Sequence, residues 1–334
     1  MRQFTIPVLY GVGSGGCRIA ATIVHGTGPA GRRVRQKLNT LAVCVSSSSA
    51  DTEQVSGFEE VVTFTIGDGM GSGMDPEKGR RDYLGSPHRS DIISLPERVA
   101  GRLGWSRIDL IPVVLTAGFG CGSGAGPELV ADLVKKYRDS MVLGICTLPF
   151  KYEGEETYRR AVKAFERASK HAPVLAVSNQ YIASMMADAG FVETLNYVND
   201  RIASILHTFI RSMGSEKVVT AVDSSDFRKV LRPAPALLMQ WSLQTPDEIP
   251  RISQHNSNTL APVARGLGKV SCIAVVEAGL AGGQLKQSHI DALHPQVEEV
   301  TGARIKEFKA MVTARPEANR TYVTVLIGGV KFYA

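Results

Sequence analysis

The chain lacks most of the features that announce a function in a sequence. It has no Gly-x4-Gly-Lys-Ser/Thr stretch, which excludes the ordinary phosphate loop with its lysine. Its five cysteines, Cys17, Cys44, Cys121, Cys146 and Cys272, are odd in number and scattered, with no Cys-x-x-Cys spacing. They read as reduced thiols and argue against a disulfide frame or a zinc site. No apolar run approaches the ~20 residues that span a bilayer, and the N-terminus opens into a strand without a signal-peptide pattern. A cytoplasmic location is therefore expected. A strong charge of one sign is missing too. The formal net charge is +6, but Lys and Arg are interspersed with acids, as in 78–82 and 135–139. That pattern describes a solvated surface, and a dedicated nucleic-acid role is not expected.

What the chain has in abundance is glycine between apolar runs. Residues 108–115 read as a buried strand, and Leu129, Val130, Leu133, Val134 and Tyr137 follow at helical spacing. Between them lie Gly118, Gly120, Cys121, Gly122, Ser123, Gly124 and Gly126, with the helix expected to start near Gly126. Such a run is either a flexible Gly/Ser loop or a cradle of backbone amides for a phosphate at a helix N-terminus. A second cluster, Gly11, Gly13, Ser14, Gly15, Gly16, Cys17 and Arg18, leads from a strand at 6–10 into another helix. Its spacing also satisfies the dinucleotide fingerprint of a Rossmann oxidoreductase. Where that reading wants an acid after the second strand, however, the chain runs into Ser46, Ser47, Ser48 and Ser49. A third glycine turn spans 67–73 and includes Ser72 and Gly73. Three such loops point to a nucleoside di- or triphosphate.

Apolar strands alternate with helical patterns through the first half, the signature of a mostly parallel sheet covered on both faces. Strands are expected near 6–10, 41–45, 61–66, 108–115, 141–147 and 173–178. A long helix follows, with Val192, Leu195, Val198, Ile202, Ile205, Leu206, Phe209, Ile210 and Met213 on one broad face. After several prolines come strand patterns at 236–243, 269–277, 304–313 and 321–330 and a helix near 288–301. At 334 residues the chain exceeds the roughly 250 to 300 at which single cores usually split. The expected class is α/β, with a Rossmann-like sheet at 1–187, a central helix at 188–213, a linker at 214–235 and a smaller α/β domain at 236–334.

In order along the chain, 11–16, 69–80, 116–126 and 149–154 resemble the nucleotide loops of the tubulin/FtsZ superfamily, closest to FtsZ. Residues 221–228 resemble its synergy loop, and 322–329 the end of its C-terminal domain. The resemblance implies a GTP-binding cytoskeletal protein that polymerises head-to-tail and hydrolyses GTP at the junction, with GTP/GDP and Mg2+ as cofactors. The metal is expected to be held mainly by phosphates and water. It implies that Asn179 and Asn199 contact the guanine edge, where an amide offers donor and acceptor, and that Glu153 lies near the ribose. It also implies that Asp223 and Asp226 act on the phosphate of a neighbouring subunit. Read without the resemblance, Asp-Ser-Ser-Asp is equally a turn or a helix N-cap. A nucleotide-binding scaffold with little hydrolysis is the alternative.

The chain departs from the family pattern in several places. Arg18 stands for an asparagine, the serines from Ser46 for an Asn-Thr-Asp type sequence, Thr157 for an arginine, and Gln180 for an acid, while Cys121 interrupts the glycine series. Because the chain ends at Ala334, just after the last strand, the tail by which FtsZ docks membrane adaptors is expected to be missing.

Overall fold

The apolar runs set before glycine turns become parallel strands, each followed by a helix. The computed structural model describes residues 5–25, 38–186, 189–213, 218–220, 222, 224–253, 257–262, 268–279, 284–315 and 319–330. β1 (Val8–Val12) leads into α1 (Gly13–His25), β2 (Leu41–Ser46) into α2 (Ser49–Glu53), and β3 (Val61–Thr65) into α3 (Pro76–Leu84) and α4 (Arg89–Arg102). β4 (Leu110–Thr116) leads into α5 (Gly120–Lys136), β5 (Met141–Leu148) into α6 (Glu155–Ser169), and β6 (Val174–Ser178) into α7 (Asn179–Ala183). These six strands lie side by side in the order 3-2-1-4-5-6, all parallel. The order reverses between β1 and β4. Helices rising from adjacent strands diverge there and leave a crevice beyond the carboxyl ends of the strands. β1 is buried throughout and β4 through Leu115, which is why both read as unbroken apolar runs instead of an alternation.

Of the boundaries that differ from the sequence expectation, two matter for the site. β1 is displaced to Val8–Val12, so Gly11 lies inside a strand. The helix expected near Gly126 begins six residues earlier, at Gly120. Gly122, Gly124 and Gly126 are therefore helical. Their lack of side chains serves close packing: a Cβ on Gly124 would lie 2.0 Å from Pro76 O on α3. What the sequence presents as a long loop is mostly a buried helix start.

The amphipathic run after β6 forms α8 (Phe191–Met213). Its face of Val198, Ile202, Ile205, Leu206, Phe209 and Ile210 is buried against α1 and, farther along, β10. Then come β7 (Val218–Thr220), α9 (Ser224–Val230), β8 (Pro235–Leu243), β9 (Asn258–Thr259), β10 (Lys269–Gly279), α10 (Gln287–Thr301), β11 (Arg304–Arg315) and β12 (Thr321–Gly328). The sheet continues as β6-β8-β12-β10-β11-β7, with β9 on β8. The start of β8 pairs in parallel with the start of β6, Val174 opposite Pro235 and Leu175 opposite Ala236. β12 runs antiparallel to both its neighbours. α8 is tied to this second half by a buried ion pair: Arg211 Nη2 donates to Glu277 Oε1 of β10 at 2.7 Å, and Ser212 Oγ donates to the other oxygen at 2.5 Å. A carboxylate this deeply buried is tolerated because both its oxygens are engaged.

Candidate functional site

The crevice at the β1/β4 switch point holds a cavity of about 260 Å3. Its walls come from the carboxyl ends of four strands: Gly13, Ser14 and Gly15 after β1, Ser46, Ser47 and Ser48 after β2, Gly71, Ser72 and Gly73 after β3, and Thr116 with the start of α5 after β4. The two main glycine loops meet across it. Gly13 has φ of 76°, and a Cβ there would lie 3.1 Å from the amide N of Gly122. On Gly122 a Cβ would lie 1.8 Å from Thr116 O. Only glycine lets these backbones approach so closely.

Serine hydroxyls lock the remaining walls together. Ser72 N donates to Ser47 Oγ at 2.9 Å, the Ser47 and Ser72 hydroxyls are hydrogen-bonded at 2.6 Å, and Ser72 Oγ lies 3.1 Å from its acceptor Asp82 Oδ2. Lys78 Nζ closes the β3–α3 loop by donating to Gly71 O at 3.0 Å and to Asp82 at 3.3 Å. Asp51 is the single carboxylate lining the cavity among the described residues, and it accepts a hydrogen bond from Ser46 Oγ at 2.8 Å.

This arrangement fits a phosphate chain. Its donors are amides and hydroxyls at two helix starts, and the Thr116 hydroxyl is buried with no partner among the described residues. The volume lies just below the roughly 300 to 1,000 Å3 of whole-ligand pockets, so it suits the phosphates and leaves a base to lie outside. Asn179, the first residue of α7, has a buried Oδ1 without a partner among the described residues, an acceptor of the kind a purine edge satisfies. Asn199 is half-buried on α8. The Glu153 carboxylate is half-buried and accepts from Phe150 N at 2.6 Å. Burial holds its pKa above the usual carboxylate range, against the lowering effect of that bond.

Solved structures share this fold. CetZ2 from Haloferax volcanii, solved as a GTPγS-bound protofilament, superposes with a TM-score of 0.76 at 23% identity over 98% of this chain and 94% of that one. An empty FtsZ dimer from M. jannaschii gives 0.71 at 14% identity over 98% and 88%. This is the tubulin/FtsZ fold. No protein-family model matches the chain. In sequence, a tubulin-like protein CetZ from Pyrococcus abyssi is 28% identical over 222 residues, which span 63% of this chain and 58% of that relative.

Set on the tubulin/FtsZ fold, the glycine-loop candidates divide into two groups, with Arg18 apart from both. Gly13, Ser14, Gly15, Ser72, Gly73, Gly120, Cys121 and Gly122 line the cavity. Gly11, Gly16, Cys17, Gly118, Ser123 and Gly124 stand behind its walls: a Cβ on Gly11 would lie 2.3 Å from Gly16 O, and Ser123 Oγ accepts from Gly118 N at 2.7 Å. Arg18 is exposed and donates to Ser14 Oγ at 3.0 Å. The Cys17 thiol faces the core near Gly11 O and Cys44. Its pKa is pushed up by the Cys44 hydrogen bond and by burial, and burial pushes Cys121 up to about 11. Both thiols are therefore protonated and inert at neutral pH. Ser47, Asp51 and Thr116 also line the cavity; Ser47 and Thr116 are marked by their place at or just after strand ends, whereas Asp51, inside α2, carries no such mark.

Of the two proposed acids, Asp226 lies at the other end of the sheet. Asp223 falls outside the described residues. Asp226, on α9, is paired with Lys309 of β11. α9 packs against β5 and β10, and Arg228 donates to Arg138 O, just before β5 begins. β5 has eight residues, so at ~3.3 Å per residue roughly 25 Å separates α9 from the glycine loops. Arg160, within one turn of Thr157, donates from Nη1 to Met74 O at 2.6 Å. Thr157 is buried instead against Gly118. Among the described residues there is no cluster of three or more metal-ligating side chains and no helix long and apolar enough to cross a membrane.

Proposed function

We propose that the protein is a cytoplasmic, filament-forming GTPase. It binds GTP or GDP in the glycine cavity, stacks head-to-tail with other copies of itself, and hydrolyses GTP where Asp223 and Asp226 of one copy meet the γ-phosphate held by the next. The observation that carries this reading is the placement of the cradle and Asp226 at opposite ends of one sheet. A single copy cannot bring them together. A head-to-tail stack can, and such a heterologous contact extends into a filament when it does not close. The rim of the cavity supports a covered surface: Met70 is 86% exposed, Met74 54% and Phe119 37%, large apolar side chains that a second copy would bury. The CetZ2 relative was solved as a protofilament with GTPγS bound.

The cradle amides and the Thr116 hydroxyl hold and orient the phosphates. The incoming carboxylates then position water for in-line attack. Mg2+, when bound, would spread the charge on the phosphoryl oxygens. The residues present fit it only with help, because Asp51 is the single carboxylate among the described residues lining the cavity and phosphates and water must supply the other ligands. Asn179 and Asn199 would read the base.

A second reading, a nucleotide-binding scaffold with little hydrolysis, is favoured by one observation: Asp226 is already neutralised by Lys309 within its own chain. Phosphate release measured against protein concentration separates the two. A polymerising GTPase loses specific activity on dilution. Constant specific activity at every dilution would overturn hydrolysis at a shared junction, and absence of release would favour the scaffold.

A further inference from the structure

A second cleft, of about 370 Å3, lies between the end of α9, the approach to β8, the starts of β10 and β11 and the end of β12. Four cations line it, Lys229, Arg232, Lys269 and Lys306, against one acid, Glu307. All four cations are exposed, and among the described residues none forms an ion pair. The backbone gathers them. The β10–β11 register shifts between Val270 and Ser271, pairing Val270 with Ile305 and Ser271 with Glu307, so that Lys306 is the extra residue of a β-bulge. A bulge re-aims a side chain, and here Lys306 and Glu307 are exposed in succession. Lys269 stands opposite Arg304 in the same ladder, a like-charge pairing that weakens a sheet unless an anion lies between. The floor is Gly328 and Gly329, and a Cβ on Gly329 would meet nothing within 4 Å.

The glycine cavity of the same copy does not reach this cleft. Along the sheet, five strand spacings separate β4 from β10, roughly 24 Å at ~4.8 Å each. The geometry points to a separate anion site for a phosphate-bearing ligand of more than one negative charge, free in solution or presented as a phospholipid headgroup. The guanidinium fork of Arg232 and the three ammonium groups match phosphate oxygens as charge-assisted donors.

The site is tested on protein saturated with GDP, so that the glycine cavity is filled. Pyrophosphate titrated by calorimetry reads the free ligand, and co-sedimentation with phosphatidylglycerol against phosphatidylcholine vesicles reads the headgroup. At least one probe should bind in a salt-dependent manner. Arg232→Ala and Lys269→Ala should each weaken that binding about tenfold, while Arg102→Ala, an exposed cation elsewhere, leaves it unchanged. The proposal is overturned if neither probe binds, if the two cleft variants bind as the parent does, or if only a polyglutamate peptide binds, which would make the cleft a dock for an acidic protein.

Discussion

Gly13 and Gly122 face each other across the cavity so closely that a Cβ on Gly13 would lie 3.1 Å from the Gly122 nitrogen. The starts of α1 and α5 thereby converge on one point, and their unpaired amides with them. This contact makes a single anion site out of two loops more than one hundred residues apart.

Gly122→Ala should therefore break the site and the fold together. Its methyl would sit 1.8 Å from Thr116 O, backbone that has no room to yield. A loss of about 3 kcal/mol or more is expected, read by thermal or denaturant unfolding. Gly57→Ala, where a Cβ meets nothing within 4 Å, serves as the control and should unfold close to the parent.

Asp226→Ala should leave nucleotide affinity intact and lower turnover by about a hundredfold or more. Lys309→Ala, which frees the carboxylate from its ion pair, should not lower it. Equal turnover in Asp226→Ala and the parent would remove this aspartate from the reaction.

Chelating magnesium should weaken binding of GTP more than of GDP. Without a cation, the Asp51 carboxylate faces a phosphate chain across the same cavity, and like charges repel. Asp51→Asn should shrink the difference between affinities with and without magnesium, measured by fluorescence of a labelled nucleotide. An unchanged difference would show that Asp51 does not feel the metal.

Asn179→Ala should lower GTP affinity by about tenfold through loss of one base contact, while binding of inorganic pyrophosphate in the glycine cavity stays as in the parent. Equal losses for both would mean that the change disturbs α7 instead of removing a base contact.

The exposed ring Met70, Met74 and Phe119 shows what a sequence leaves out. Each is an ordinary apolar residue in a glycine-rich stretch, and only the folded chain turns all three outward around one cavity.

The sequence by itself determined the longer strands, the central helix and their alternation, because burial on both faces demands unbroken apolar runs and a helix beside a sheet demands a stripe at helical spacing, whereas the short β7, β9 and α9 left no such pattern. It also determined the glycine loops at the strand ends, since the close approach of backbones there leaves no alternative residue. Strand order, the meeting of Gly13 with Gly122, the choice between glycines that line the cavity and glycines that pack helix α5, and the placement of Asp226 some 25 Å from the cradle were decided by tertiary structure alone. Each depends on contacts between residues far apart in the chain, whose register is set by packing and leaves no local pattern to read.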